Sequence, residues 1–293
     1  MKTVGLVPHR ERAIAHDLAN RARAWLEERG VEVRVPEDDA APAGLEECGV
    51  DPAGFAKGLD LVLSIGGDGT MLRTVQLVYP EPVPILGVNA GQLGYLSAIE
   101  PNELEDALPR LMRGEFEVSE RMMIEVVVKR TRQDGEADDT DLATRTEYAL
   151  NEAVLEKLGA GRLIRLLVSI NGTVFTTYAA DGVIVATATG STAYSFSARG
   201  PIVSPAHRCL LLTPVSPHML FDRSLVLGAE EELELLVTDG RGVSLTIDGR
   251  DVGELAAGER VVCRAAPGAA RLVARRPDDF HQLLKAKFGL TDR

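Results

Sequence analysis

Apolar and polar positions alternate along the first hundred residues in a way that predicts strands and helices in turn. Four short apolar runs are typical of buried strands: 3–7, 31–35, 59–65 and 83–88. Two longer segments, 9–30 and 69–79, carry apolar residues at helical spacing. The stretch 36–58, rich in Pro, Gly and Asp, predicts a connection. Apolar strands alternating with helices indicate a parallel, Rossmann-like sheet covered on both faces, with ligands beyond the carboxyl ends of its strands.

The pattern changes after a helical segment at 102–114. From there short strand-like runs follow one another, separated by Gly, Asp and Asn, which is typical of a β-sandwich-like fold. We therefore predict an α/β N-terminal domain over 1–100 and a β-rich C-terminal domain over 101–275. The amphipathic tail at 276–293 predicts a helix that packs back on the body of the protein.

Composition and charge narrow the classes of partner. Hydrophobic residues make up 45% of the chain and charged residues 26%, as in ordinary globular proteins, and no apolar run is long enough for a membrane helix or a secretory signal. We expect a cytoplasmic protein without a membrane partner. A net charge of −12 without a cluster of Lys and Arg argues against nucleic acid, whereas backbone amides, one or two arginines and a metal ion can still hold a small anion. Three cysteines without a CxxC pair indicate packing residues.

The first candidate site is IGGDGT at 65–70, at the end of a predicted strand. Gly66, Gly67 and Gly69 allow a tight turn whose N–H groups face an anion, and the following helix adds the positive end of its dipole. Asp68 would repel a phosphate unless it binds Mg²⁺ or accepts a proton from an attacking hydroxyl. The alternative is a strand-to-helix turn in which Asp68 is only a capping residue. The chain contains neither GxxxxGK[ST] nor GxGxxG after a strand.

A second concentration of polar residues lies at 178–205, where hydroxyl side chains surround a turn that opens into a short helix. Hydroxyls and helix-start amides suit a nucleotide, although such helix starts also occur without a ligand. Asp181 fits either a substrate contact or a turn cap. Asn151 and Glu152 follow another strand-like run, and an amide beside a carboxylate fits a ribose diol, with exposed polar residues as the simpler alternative.

Five segments in order resemble the motif series of the NAD kinases, which phosphorylate NAD at the 2′-hydroxyl of its adenosine ribose. They are GGDGT, GVNAGQLGYL at 87–96, NE at 151–152, DGVIVATATGSTAYSFSARGPIVSP at 181–205 and PVSPHML at 214–220. The resemblance covers roughly residues 60–225. It implies a two-domain subunit in a homodimer or homotetramer, with NAD and either ATP or polyphosphate as substrates, a dinucleotide-binding C-terminal domain, and Mg²⁺ or another divalent cation as cofactor.

The resemblance also implies roles for individual residues. Asp68 would match the proton acceptor and a substrate contact, with Gly66, Gly67, Gly69 and Thr70 near the phosphates. Arg73 would match a basic position near the donor or the dinucleotide. The remaining substrate-binding positions would be Asn151, Glu152, Arg162, Asp181 and the run Thr192, Ala193, Tyr194, Ser195, Phe196 and Ser197, which would line the adenine.

Two positions depart from the family pattern, because Ala188 replaces the usual Pro of Thr-Pro-Thr-Gly and Arg199 replaces the first Gly of Gly-Gly-Pro. Both changes bear on fine specificity. Two other functions stay open at this point. A lipid kinase of the same superfamily would need an apolar channel and no ribose-binding pair, and a non-catalytic nucleotide sensor would have no need of Asp68.

Overall fold

The computed structural model describes residues 1–91, 94–130, 143–159, 161–240, 242–274 and 279–290. The chain folds into two compact units. The first contains residues 1–120 and 269–293, and the second contains residues 121–268. None of the helices in the described part of the chain combines the length and the hydropathy that crossing a bilayer requires.

The first unit is an α/β fold built on a parallel sheet, as predicted. Its strands are β1 (Thr3–Pro8), β2 (Glu32–Pro36), β3 (Gly49–Val50), β4 (Leu61–Gly66) and β5 (Pro84–Asn89). Its helices are α1 (Ala13–Glu27), α2 (Glu37–Ala43), α3 (Pro52–Phe55), α4 (Asp68–Val78), α5 (Leu104–Met112) and the C-terminal α7 (Asp279–Phe288). The strands lie in the order β5-β4-β1-β2-β3, and all of these neighbours are parallel. Every residue of β1 and β4 is buried, as a sheet covered on both faces requires.

The connection predicted for 36–58 contains more regular structure than its composition indicates. Helix α2 begins with three acidic residues, which the positive end of a helix dipole favours, and ends at Gly44 with φ of 68°. Asp39 in this helix is completely buried. The short strand β3 then extends the sheet beyond β2.

The second unit consists mostly of antiparallel strands in two sheets, as the β-rich prediction requires. Its elements are β6 (Val118–Arg130), β7 (Ala143–Ala149), β8 (Glu152–Lys157), β9 (Ile164–Ile170), β10 (Thr173–Ala180), β11 (Gly182–Thr187), α6 (Tyr194–Ser197), β12 (Cys209–Val215), β13 (Leu225–Gly228), β14 (Leu233–Val237), β15 (Val243–Ile247), β16 (Arg250–Leu255) and β17 (Arg260–Val273). One sheet has the order β13-β12-β11-β8-β15-β16. In the other, β10, β9, β14 and β17 are neighbours, and β6 pairs with β17 and β7. Apolar residues of both sheets share one core, which makes the unit a sandwich.

The limits of the units differ from the predicted domain limits at 100, 275 and 276. Helix α5 packs through Leu104, Leu108 and Leu111 into the core of the first unit, so that unit continues to residue 120. Strands β6 and β17 each have residues in both units. The last part of β17 pairs with β5 through Arg271 and Leu272, which places residues 269–274 with the first unit.

Candidate active site

The turn between β4 and α4 is built so closely that one of its positions must be glycine. A Cβ on Gly66 would lie 2.1 Å from the hydroxyl oxygen of Thr70. Gly67 is the N-cap residue of α4, and Asp68 is the first residue of the helix. The first-turn N–H groups of a helix lack partners within the helix and carry its positive dipole end, so this turn favours an anion.

The carboxylate of Asp68 is held by a neighbouring loop of the same unit. The Tyr95 N–H donates to Oδ2 at 2.9 Å, and the Leu96 N–H donates to Oδ1 at 3.0 Å. A Cβ on Gly94 would lie 2.2 Å from Oδ1, so the loop can approach this closely only with glycine there. The sequence left open that Asp68 is only a capping residue of its own helix. In the structure its carboxylate instead accepts the N–H groups of Tyr95 and Leu96. Each oxygen accepts one N–H and keeps a second lone pair for a ligand.

Asp68 lines a pocket of about 670 Å³, a volume typical of small-molecule sites. All its lining residues belong to the first unit. They are His9, Arg10, Glu11, Arg12, Gly67, Asp68, Gly69, Thr70, Arg73, Gly94 and Lys287. The arginines and the lysine outnumber the carboxylates four to two in this lining, which makes the pocket suited to an anionic ligand. Burial and the nearby Arg12 lower the pKa of His9, so this side chain adds little charge at neutral pH.

Buried Asp39 holds two of the pocket's arginines. The Arg10 Nε donates to its Oδ1 at 2.7 Å, and Arg73 also donates to this oxygen. Arg73 donates a further hydrogen bond to the carbonyl of Pro8 at 2.9 Å. These contacts fix the guanidinium groups before a ligand binds, which lowers the entropic cost of ordering them.

In the second unit, Asp248 organises the backbone that carries Asn151 and Glu152. Its carboxylate accepts the N–H groups of Leu150 and Asn151 at 2.8 Å each and that of Glu152 at 3.0 Å. In return, the Asp248 N–H donates to the Glu152 carbonyl at 3.0 Å. Asp248 itself adopts φ of 49°, a left-handed conformation that Asp tolerates better than most residues.

Glu152 is a buried carboxyl with an incomplete set of partners. Its Oε2 is buried, and no hydrogen-bond partner for it occurs among the described residues. Burial, followed by the nearby carboxylate of Asp248, raises the pKa of Glu152 to about 8, against the backbone N–H of Tyr194, which lowers it. A buried acceptor without a donor is costly, and a hydroxyl-bearing ligand would satisfy it.

The loop after β11 packs directly on this turn. A Cβ on Gly190 would lie 2.2 Å from the carbonyl oxygen of Asn151. The Thr187 hydroxyl donates to the Leu150 carbonyl at 2.6 Å and accepts the Gly190 N–H at 3.0 Å. The polar pair at 151–152 and the start of the loop at 187–190, which lies within the predicted polar segment 178–205, are therefore in direct contact.

The residues of the predicted adenine-lining run differ in exposure. Tyr194 and Phe196 are 37% and 38% exposed, so their rings are accessible, and Ser197 is also exposed. Thr192 and Ala193 are half-buried. The Ser195 hydroxyl is completely buried and hydrogen-bonded to that of Thr213 at 3.1 Å, so its side chain holds the loop rather than facing a ligand.

The other predicted site residues are placed as follows. Gly67, Asp68, Gly69, Thr70 and Arg73 line the pocket, while Gly66 closes the turn behind it. Asp181 forms an ion pair with Lys157 of β8. The Tyr194 hydroxyl donates a hydrogen bond to Glu156, which also lies on β8. Arg162 is exposed in the turn before β9.

Several residues of these sites were not identified by the sequence analysis. Arg10 and Arg12 directly follow the first predicted strand, and the rule that ligands bind at carboxyl ends of parallel strands could have identified them. Lys287 comes from the far end of the chain. Asp39 and Asp248 act through contacts over many residues, and their local sequences resemble ordinary turns.

Two family models match the chain. The ATP-NAD kinase N-terminal domain matches residues 50–116, and the ATP-NAD kinase C-terminal domain matches residues 150–275. The chain is 37% identical over 288 residues to the NAD kinase of Heliobacterium modesticaldum, covering 98% of both chains. It is 45% identical over 242 residues to the NAD kinase of Symbiobacterium thermophilum, covering 82% of both. The chain belongs to the NAD kinase family. Membership makes it a phosphotransferase.

Solved structures share the fold of this family member. A yeast NADH kinase complexed with NADH superimposes with a TM-score of 0.90 at 24% identity, over 100% of this chain and 89% of the other. An NAD kinase from Archaeoglobus fulgidus in complex with ATP gives a TM-score of 0.74 at 23% identity, over 99% of this chain and 100% of the other. At these identities the likeness establishes the architecture, an α/β unit and a β-rich unit.

Proposed function

We propose that the protein transfers a phosphoryl group from ATP, or from polyphosphate, to the 2′-hydroxyl of the adenosine ribose of NAD, giving NADP. The observation that carries this proposal is the Asp68 carboxylate, fixed by two backbone N–H groups in a pocket of cationic side chains. A fixed base and a site for polyphosphate are the two requirements of phosphoryl transfer to an alcohol.

Asp68 would act as the general base. It accepts the 2′-hydroxyl proton as the ribose oxygen forms its bond to the terminal phosphorus of the donor. The bond between that phosphorus and the bridging oxygen breaks, and the shortened donor leaves with the electron pair. The two N–H donors occupy one lone pair on each Asp68 oxygen and so hold the carboxylate in place. The second lone pair of each oxygen stays available to accept the proton.

The donor phosphates would bind beside Asp68. Gly67, Gly69 and Thr70 supply the turn at the start of α4, and Arg10, Arg12 and Arg73 supply positive charge. Buried Asp39 holds Arg10 and Arg73, so little reorganisation is needed when the polyanion enters.

We propose Mg²⁺ or another divalent cation as cofactor. Among the described residues no group of three or more His, Cys, Asp or Glu side chains is placed to hold a metal. The pocket instead offers the carboxylates of Asp68 and Glu11. This set fits an ion that is bound mainly by donor phosphates and water and takes one or two protein carboxylates, where it would neutralise phosphate charge.

NAD would bind through the candidate residues of the second unit, at 151–152 and 192–197. Glu152 with its unsatisfied Oε2 and Asn151 beside it suit the ribose diol, and the exposed rings of Tyr194 and Phe196 suit the flat adenine. We assign further contacts with the dinucleotide to Arg162 and Asp181. The yeast relative in complex with NADH supports a dinucleotide as ligand.

We also propose that the protein forms a homodimer or homotetramer. Strand β10 is the edge strand of its sheet, and Val174 and Phe175 on it are 61% and 42% exposed. Phe175 contacts Phe221 edge to face at 5.7 Å between ring centroids. An apolar patch on an open sheet edge is typical of an interface between subunits. Light scattering of the purified protein should give a mass two or four times that of one chain.

The assay is incubation of the purified chain with Mg²⁺, one donor and one acceptor. NAD with ATP or polyphosphate should give NADP, which an NADP-specific dehydrogenase detects, and excess chelator should stop the reaction. Diacylglycerol as acceptor should give nothing. Phosphorylation of the lipid would support the lipid kinase alternative, and NAD binding without any transfer would support a nucleotide sensor.

A further inference from the structure

The C-terminal helix reaches the pocket that holds Asp68. Helix α7 belongs to the first unit, and Lys287 in its last turn is one of the pocket's lining residues. The remaining cations of that lining come from the first eighty residues of the chain. The tail therefore adds a charge to a site that is otherwise formed by the β1–α1 connection, by Gly67 with the first two turns of α4, and by Gly94.

Lys287 is held by an aromatic ring instead of a carboxylate. Its Nζ lies 4.0 Å from the centroid of the Tyr95 ring. Tyr95 is also the residue whose backbone N–H donates to Asp68 Oδ2. A cation over a ring face is attracted by the ring's quadrupole. The same short loop thus fixes the carboxylate with its backbone and the ammonium group with a side chain.

The arginines of the pocket have protein acceptors, and Lys287 differs from them in this respect. Arg10 and Arg73 donate to Asp39, and Arg12 donates to the carbonyl of Ala90 at 3.0 Å. Within the part of the chain that the structure describes, no carboxylate pairs with Lys287. Its three N–H donors can therefore be used by a phosphate without breaking an ion pair.

We propose that Lys287 is a phosphate-binding residue of the donor site and that Tyr95 is its positioning residue. The ligand is a chain of phosphates, which ATP and inorganic polyphosphate share. The ammonium group would contact the donor's phosphate oxygens beside Asp68, so that the C-terminal helix completes the donor site. This inference rests on the proposed function, in which the pocket takes the phosphoryl donor.

The direct test is calorimetric binding of Mg²⁺-tripolyphosphate and of Mg²⁺-ATP, without NAD, to the full-length protein. Lys287→Ala should weaken both at least 10-fold, the effect of losing a hydrogen bond between charged groups. Lys285→Ala removes the same charge from the same helix at a position outside the pocket lining and should change both affinities less than 2-fold. If only ATP loses affinity, Lys287 contacts the nucleoside and not the phosphate chain, and the proposal is wrong.

Steady-state kinetics distinguish this role from a structural one. Lys287→Ala should raise KM for the donor about 10-fold or more and leave KM for NAD unchanged, and Lys287→Arg should restore part of the donor affinity. Tyr95→Leu should raise donor KM in the same direction, while Tyr95→Phe, which keeps the ring, should raise it less than Tyr95→Leu does. Equal changes in both KM values, accompanied by a lower melting temperature, would indicate a structural role and overturn the proposal.

Failure of this inference differs from failure of the proposed function. If the unaltered protein binds tripolyphosphate and makes NADP, but Lys287→Ala binds as tightly, only the role of Lys287 is refuted. If the unaltered protein neither binds tripolyphosphate nor makes NADP, the donor site itself is refuted.

Discussion

At the residue scale, Asp68 combines a fixed position with unused acceptor capacity. Its two oxygens accept N–H groups from Tyr95 and Leu96, which lie 27 and 28 residues away in the sequence. The sequence could predict the turn and the presence of a carboxylate in it. It could not predict the loop that orients the carboxylate, because that contact depends on the sheet bringing the ends of β4 and β5 together.

Asp68→Asn tests the general-base role. The amide keeps size and shape but lacks basicity, so turnover should fall about 10² to 10⁴-fold while NAD binding persists. The amide also has only one acceptor oxygen for two N–H donors, so some stability is lost, roughly 1–3 kcal/mol. Turnover, NAD affinity and melting temperature should be measured on one preparation. Near-normal turnover would contradict the assignment.

Glu152 predicts a pH dependence of stability. Its pKa in the folded protein is about 8, raised from 4.5 by burial and by Asp248. Below about pH 4.5 the carboxyl is protonated in both the folded and the unfolded protein, so its full contribution to the free energy of unfolding is present. As the pH rises towards 8 the unfolded state releases the proton and the folded state does not, so the free energy of unfolding falls.

Glu152→Gln is neutral at every pH and removes this dependence. Urea denaturation from pH 5 to pH 9 should show a smaller loss of stability in the variant than in the unaltered protein, because all other titrating groups are shared. Parallel curves for the two proteins would mean that Glu152 is ionised in the fold at neutral pH.

At the element scale, the regular strands and helices were predictable and the irregular segments were not. The apolar runs that became β1, β4 and β5 are buried on both faces, so their patterns are strong. Helix α2 was missed because Pro42 lies inside it and its acidic start looks like a loop. Asp39 in that helix is buried and accepts hydrogen bonds from Arg10 and Arg73 at its Oδ1. These contacts are long-range, so no local sequence pattern predicts them.

Arg199 occupies a position that suits glycine. Its φ of 66° lies in the left-handed region, which costs a residue with a Cβ about 1–2 kcal/mol. The Gly-Gly-Pro pattern that the sequence resembles has glycine at this position, which would avoid the strain. Arg199→Gly should therefore stabilise the protein by about 0.5–1 kcal/mol, after the larger backbone entropy of glycine in the unfolded chain is subtracted.

The matched control is Arg199→Ala, which removes the same side chain and keeps the backbone strain. Denaturant unfolding should show a gain for the glycine variant only. Equal gains for both variants would attribute the effect to the arginine side chain instead of the backbone.

At the scale of the whole molecule, overall charge and local charge have opposite signs. The chain carries a net charge of −12, yet one pocket of the first unit contains Arg10, Arg12, Arg73 and Lys287. Net charge argued against nucleic acid as a partner because duplex binding needs an extended basic surface. It could not reveal this pocket, whose cations come from three separate parts of the chain and meet only in the fold.

The candidate site residues are divided between the two units. Residues 66–73 belong to the first, and residues 151–197 belong to the second. The order of motifs in the sequence marks both groups as candidate site residues, which stays a prediction, and the members of each group lie within one unit. The residues that support them, such as Asp248 beneath Asn151 and Glu152, come from distant strands and needed the structure to be identified.

Transfer of a phosphoryl group to the 2′-hydroxyl of NAD determines where the new phosphate lies in the product, so locating that phosphate tests the proposed reaction. The full-length protein is incubated with NAD, ATP and Mg²⁺, and the purified product is examined by phosphorus NMR. We predict one additional phosphate monoester on the adenosine ribose at the 2′-oxygen, with the diphosphate bridge of NAD unchanged. A product phosphorylated at another hydroxyl, or recovery of unmodified NAD, would show that the protein does not carry out this reaction.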